Sequence, residues 1–205
     1  IPDQLSILKS LTKKADRIEN AESASKKLTS AFSSLQSGRP RPVGVEVPVN
    51  IWNSHVEKVS DNLIGHPDQG PNVNTDRIEE AASILNSSKR PVIVVGGGAQ
   101  NFSIEINNLS SSLSAPVIAF RNGHGIVDGS SQLSVTLPAG RELWGHCDVV
   151  LALGTRCQTA QMQWGVDDQM KIIHIDIDQD EIGRINKPEL GINADLKDAL
   201  PLLLK

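Results

Sequence analysis

Tyrosine is absent from this chain of 205 residues, and aromatic residues of all kinds make up only 3% of it. Basic residues are scattered, 20 Lys and Arg against 24 Asp and Glu, giving a formal net charge of −4 and an isoelectric point near 5.7. A surface that grips nucleic acid needs a basic face and flat side chains on which bases stack. No nucleic-acid partner is expected. Long apolar runs are missing as well: the longest, near 91–95 and 149–153, fall far short of the ~18 residues of a membrane-crossing helix, so no membrane partner is expected either. The 2 cysteines, Cys147 and Cys157, are too few for a disulfide scaffold or a zinc cage and lack C-x-x-C spacing. A reducing, cytoplasmic compartment suits them. Also lacking are a basic-then-apolar leader and an Arg-rich presequence; the opening Ile1-Pro2-Asp3 reads as the interior of a longer chain.

With 39% hydrophobic and 21% charged residues, the chain has enough apolar surface to bury a core. Leu28, Ala31, Phe32 and Leu35 fall at helical spacing, with Gly38 where a helix ends. Residues 42–49 form a β-branched stretch bracketed by Pro42 and Pro48, which predicts a strand. One helix and one strand cannot enclose a core, so residues 1–52 are expected to be the remnant of a larger domain. Residues 53–74 carry His55, Asp61, His66, Gly70, Pro71 and four asparagines without any sustained period. They read as a linker.

From residue 75 the pattern becomes regular. Asp76 and Glu79 suggest a capping box before a helix carrying Ile78, Ala81, Ala82 and Leu85. The continuous apolar run at 91–95 predicts a strand buried on both faces of a parallel sheet, and 117–120, 149–153 and 172–176 look like further strands of it. Helices are expected over Phe102 to Leu113, after Asp178 with Glu181, and after Asp195. Alternation of this kind specifies an α/β fold: an open, mostly parallel sheet with helices on both faces.

Such sheets bind ligands beyond the carboxyl ends of their strands. Gly96-Gly97-Gly98 follows the first predicted strand. It either admits a diphosphate close to the backbone or serves a tight strand-to-helix turn. Arg121 stands where an acid would select a ribose, and Arg156 ends the third predicted strand, placed for a phosphate or for a structural ion pair. Asp176 ends the fourth and could accept from a ribose or an amine, while Asp178 and Asp195 have capping alternatives. His174 reads as a core residue, the cysteines as small buried hydrophobes, and no triad or metal cluster appears.

These segments together resemble the thiamine diphosphate (TPP)-dependent decarboxylases and carboligases, especially acetolactate synthase-like members. The resemblance is carried by Ser37-Gly38-Arg39-Pro40-Arg41-Pro42-Val43 running to Asn50, Lys89-Arg90-Pro91 through Gly98-Ala99, Asp148 to Gly154-Thr155-Arg156, Ile172 to Asp178 with Glu181-Ile182-Gly183, and Asn193-Ala194-Asp195. It implies that residues 1–52 close a pyrimidine-binding domain and that 75–205 form the Rossmann-like central domain. In that family the central domain holds FAD, ADP or nothing. Gly96, Gly97 and Gly98 would face the diphosphate, Arg156 the flavin nucleotide, and Asp176 and Asp195 the adenosine end. Gln158, Phe120-Arg121 and Leu137-Pro138-Ala139-Gly140 depart from the flavin-binding pattern, and Arg41 and Asn50 differ outside the central domain.

The family's ylid-forming Glu and its GDG…N segment for Mg²⁺ and TPP are absent, so these residues alone are expected to be inert. Their implied partners are the TPP-binding domains of a homo-oligomeric parent. A stand-alone module for FAD or NADP, or a purely structural spacer, remain the alternatives.

Overall fold

A computed structural model describes residues 2–56 and 70–205 and divides the chain into two compact units, Ile1–Gly70 and Pro71–Lys205. Asp61, Asn62, His66 and Pro67 of the predicted linker lie outside the described residues.

The first unit begins with helix α1 (Gln4–Leu11), whose N-cap Asp3 accepts from the Ser6 amide at 3.0 Å. Strand β1 (Lys14–Arg17), helix α2 (Ala21–Gln36) and strand β2 (Val43–Glu46) follow. The two strands pair in parallel, from Lys14 opposite Val43 to Arg17 opposite Glu46. Neither α1 nor β1 is visible as a period in the polar residues 1–20. Lys13 holds the end of α2: its Nζ donates to the carbonyls of Ser34, Ser37 and Arg39, at 2.8, 2.5 and 3.3 Å. A cation there also suits the negative end of the helix. Gly38, at φ +52°, then turns the chain in the left-handed region. Of α2 only Ala31 is buried, and its apolar row of Leu28, Phe32 and Leu35 faces solvent, Phe32 at 58% exposure.

The second unit is a six-stranded parallel sheet. Its elements are α3 (Thr75–Ser87), β3 (Pro91–Val95), α4 (Ser103–Leu113), β4 (Val117–Ala119), β5 (Ser134–Val135), α5 (Leu137–Trp144), β6 (Val149–Leu153), β7 (Lys171–Asp176), β8 (Leu190–Asn193) and α6 (Leu196–Leu203). The strand order is β5-β4-β3-β6-β7-β8, with every pairing parallel. The chain starts at β3, builds outward to β5, then crosses back to β6 and builds the other way. This is the doubly wound order, with its switch point between β3 and β6. Side chains alternate across the sheet as strand geometry requires. Ile93, Leu151, Leu153, Ile173 and Ile175 pack under α3, α4 and α6. Val92, Val94, Val150, Ala152 and Ile172 face the other way, against Ile118, Trp144, Cys147 and Cys157.

The fold class read from the sequence is the one observed, with local corrections. Helix α3 is capped by Asn74, which accepts from the Arg77 amide, and Asp76 lies inside its first turn. After Asp178 the chain makes only a one-turn 3₁₀ helix, Gln179–Glu181. Asp195 does cap α6, accepting from the Lys197 amide at 3.0 Å. The edge strands β5 and β8 and helix α5 lack the long apolar runs that mark the central strands.

Asp148, just before β6, gathers the loop between α3 and β3. Its carboxylate accepts from the Ser88 hydroxyl and from the amides of Lys89 and Arg90 at 2.8 and 3.0 Å. Partial burial opposes its ionisation, but these bonds outweigh that and hold its pKa below the ordinary carboxylate value. Asp148→Ala is expected to cost about 1–2 kcal/mol, because two backbone donors lose their acceptor at a solvent-screened site. Since the folded pKa is the lower one, the stabilisation is complete above the unfolded value and fades as pH falls through the folded value. Urea melts of both proteins at pH 7 and pH 3 check this: the gap between them narrows at pH 3.

Candidate functional site

The site is built where β3 and β6 end side by side. Their loops meet backbone to backbone, and glycines make this possible. A Cβ on Gly96 would stand 2.6 Å from the Gly154 carbonyl oxygen and 2.7 Å from Thr155 Cβ. A Cβ on Gly98 would stand 2.9 Å from Gly154 Cα, and one on Gly154 only 2.7 Å from the Gly98 carbonyl carbon. Gly154 also adopts φ +53°. The contact is sealed by hydrogen bonds: the Gly96 amide donates to Leu153 O at 3.3 Å, and the Gly98 amide to Gly154 O at 3.0 Å.

Gly97 differs from its neighbours. Exposed like Gly98, it has no backbone against it: a Cβ there would press only on the Asn122 side chain, at 3.2 Å. Gln100 fixes this neighbouring loop by donating to the carbonyls of Asn122 and His124. Gly123 lies tight under the end of β3, where a Cβ would meet Val95 O at 2.5 Å. Two non-glycine residues of these loops, Arg121 at φ +43° and Cys157 at φ +47°, occupy the left-handed region, a strained arrangement that clusters at sites where loops are held by their surroundings.

Arg156 lies on the loop after β6 and is exposed. The Gly154 amide donates to Ile175 O at 3.0 Å, tying this loop to β7. Asp176 ends β7, buried, and its Oδ1 accepts from the Asp178 amide at 2.9 Å. Asn193 opposite it donates to the carbonyls of Asp176 and Ile177, which brings Asp195 to the next strand end. All six residues singled out from the sequence therefore share the carboxyl edge of the sheet. Their employment differs. Gly96 and Gly98 serve the contact between loops and Asp195 caps α6, while Gly97 and Arg156 face outward.

Three of the four amides of residues 96–99 are already donated, that of Ala99 to Gly96 O at 3.1 Å. A diphosphate would therefore find at most the Gly97 amide in this turn. A bare Gly97 backbone and the Arg156 guanidinium still suit an anion. Leu137–Gly140, where a flavin-contacting loop is expected, is instead the start of α5, and Gly140 lets that helix close on Ile118, with its Cβ position 3.0 Å from Ile118 side-chain atoms.

Sequence reasoning did not single out Gln161. It lies in a π-helical turn, Ala160–Trp164, tied down by Trp144, whose Nε1 donates to Gly165 O at 2.6 Å. The Gln161 amide stands beside the Cys157 thiol, and its Oε1 is buried without a hydrogen-bond partner among the described residues. Burial pushes both thiols, Cys147 and Cys157, up to about 12. They remain protonated and are no nucleophiles. Among the described residues no three His, Cys, Asp or Glu side chains are placed to hold a metal ion, and no helix is long and apolar enough to cross a membrane.

Residues 78–203 match the family described as thiamine pyrophosphate enzyme, central domain, and the chain belongs to that family. It is 27% identical over 204 residues to the large subunit of acetolactate synthase isozyme 1 of Escherichia coli K12, covering 95% of this chain and 36% of the relative. It is 31% identical over 211 residues to glyoxylate carboligase of Escherichia coli O157:H7, covering 97% and 35%. Over 207 residues it is 30% identical to the chloroplastic acetolactate synthase 2 of Nicotiana tabacum, covering 95% and 31%. The chain thus spans about a third of the length of the curated relatives it matches.

The glycine geometry separates two substitutions of the same chemistry. Gly96→Ala drives a methyl group into backbone and is expected to cost about 2–3 kcal/mol, in the range of overpacking. Gly97→Ala meets only a side chain that can move, and is expected to cost under about 1 kcal/mol. Thermal melts of the two variants check this; equal losses would contradict the geometry.

Proposed function

We propose that this chain is part of a thiamine diphosphate-dependent 2-oxo acid carboligase or decarboxylase of the acetolactate synthase type. Residues 1–52 would be the closing portion of its pyrimidine-binding domain, and residues 75–205 its central domain. The observation that supports this most is that acetolactate synthases and a glyoxylate carboligase align over nearly the whole chain, the first unit included. The open α2 face of that unit also suits a larger α/β domain.

When bound, thiamine diphosphate would supply the electron sink that lets a 2-oxo acid lose its carboxylate as carbon dioxide and pass on the remaining acyl group. Its magnesium ion finds no ligand cluster among the described residues, so the metal and diphosphate are assigned to the remainder of the parent. The chain by itself is then inert. Mixed with thiamine diphosphate, Mg²⁺ and pyruvate, it is expected to release no carbon dioxide.

The central domain's own contribution, in this reading, is an adenine nucleotide site at the β3–β6 switch point. Arg156 would pair with the phosphates of FAD or ADP, and Gly97 would admit them to the turn. A packing role alone is the second reading. It is favoured by the three amides of residues 96–99 already spent on protein carbonyls. Titration with FAD and with ADP, followed by thermal melting, separates the two. A ligand at a hundred times its Kd adds about 2.7 kcal/mol, which for a protein of this size is a rise of about 5–10 °C. The nucleotide reading predicts such a rise with at least one ligand and its loss in Arg156→Ala. No shift with either ligand leaves the packing role.

A further inference from the structure

We propose that His174 is a proton-controlled latch on loop 154–157: neutral, it holds the loop against β7, and protonated, it lets the loop go. The proposal turns on His174 and Thr155, which the nucleotide reading does not use, and it stands whether or not a nucleotide binds.

His174 lies in the middle of β7 at 2% exposure, with Nε2 2.8 Å from the carbonyl oxygen of Thr155. A carbonyl oxygen can only accept, so Nε2 carries the single proton of the neutral ring. Thr155 is where the ties of this loop meet. Its carbonyl accepts from His174, its Oγ1 accepts from the Cys157 amide at 3.1 Å, and its side chain stands directly beside Gly96. A second acceptor waits just out of reach: Asp176 Oδ2 is 4.0 Å from the same Nε2.

The charges that face the ring are few. On the flanking strands its register neighbours, Ala152 in β6 and Gly191 in β8, carry none. Asp176 lies two residues along β7, and Glu181, paired with Arg184 at 3.0 Å, acts from the turn that follows. When a proton from solvent reaches Nδ1, the ring becomes a cation. Its Nε2–H then chooses between a carbonyl and a carboxylate: the carbonyl bond strengthens too, being charge-assisted, but only the carboxylate adds the attraction of an opposite charge. A small rotation trades Thr155 O for Asp176, and the loop that carries Arg156 and Cys157 loses its side-chain anchor. Burial disfavours the charged ring and lowers its pKa, although Asp176, the Thr155 carbonyl and Glu181 all favour that charge, so the latch opens on the acid side of neutrality.

Cys157, at 3% exposure, reports on the loop, because its thiol reacts only when the loop opens. The test uses the full chain with Cys147→Ala, which leaves Cys157 as the single thiol. Its rate of reaction with 4,4′-dithiodipyridine, a reagent active in acid, is measured from pH 8 to pH 5 and normalised to a cysteine peptide at each pH. Far-UV circular dichroism marks the range in which the chain stays folded. The normalised rate is expected to rise severalfold toward pH 5, and to stay flat in His174→Gln, whose amide donates the same bond without titrating. An equal rise in His174→Gln overturns the proposal, as does a flat profile with His174 present. Should His174→Gln fail to fold, imidazole NMR of the parent chain decides: the titration midpoint of His174 must coincide with the midpoint of labelling, and separate midpoints overturn the latch.

Discussion

The second unit depends on one close approach, that of the backbone after β3 to the backbone after β6. At the switch point of a doubly wound sheet, neighbouring strands send their chains in opposite directions, which opens a crevice between the diverging connections. Here the two loops touch. Gly96, Gly98 and Gly154 each lack the one atom that would push them apart, and the amides of Gly96 and Gly98 close the gap by donating to Leu153 and Gly154. Thr155, Arg156 and Cys157 are positioned as a consequence. So is Gln100, which fixes the third loop of the edge from the far side of the same turn.

This contact recasts what a run of three glycines means. Read along the sequence, Gly96-Gly97-Gly98 serves equally a ligand's approach or a tight turn. The structure divides the run by residue. The outer two glycines accommodate protein backbone, while Gly97 is exposed and faces only the side chain of Asn122. The same division holds for the polar residues. Asp195 ends as a helix cap, Asp176 lies buried with a backbone bond to Asp178, and Arg156 faces solvent.

What could be read in advance follows from how much of each element is buried. Strands β3, β6 and β7 are covered on both faces, so β3 and β6 are continuously apolar, β7 is interrupted by His174 before it ends at Asp176, and their positions could be read almost to the residue. Strand β5 has two residues, and β8 alternates buried with half-buried positions. Neither stands out against loop sequence. Helix α5 opens with Leu137 and Pro138 and contains Gly140, a composition that reads as a loop until Ile118 is seen to require the missing Cβ. In the first unit the apolar row of α2 was legible, but its exposure was not: period reveals which residues share a face, not what covers it. Pairings such as His174 with Thr155, or Asp148 with Ser88, join residues 19 and 60 positions apart, and no local pattern encodes them.

The glycine contact holds together the carboxyl edge of the sheet, where sheets of this kind meet their ligands. The measurement that tests the contact most directly is a double-mutant cycle of Gly98→Ala with Gly154→Ala, read by urea unfolding. If both glycines serve one approach, the first methyl group already forces the loops apart and the second adds less. The double variant should then lose at least about 1 kcal/mol less than the sum of the single variants. Strict additivity would show that the two glycines act independently, and would contradict the account.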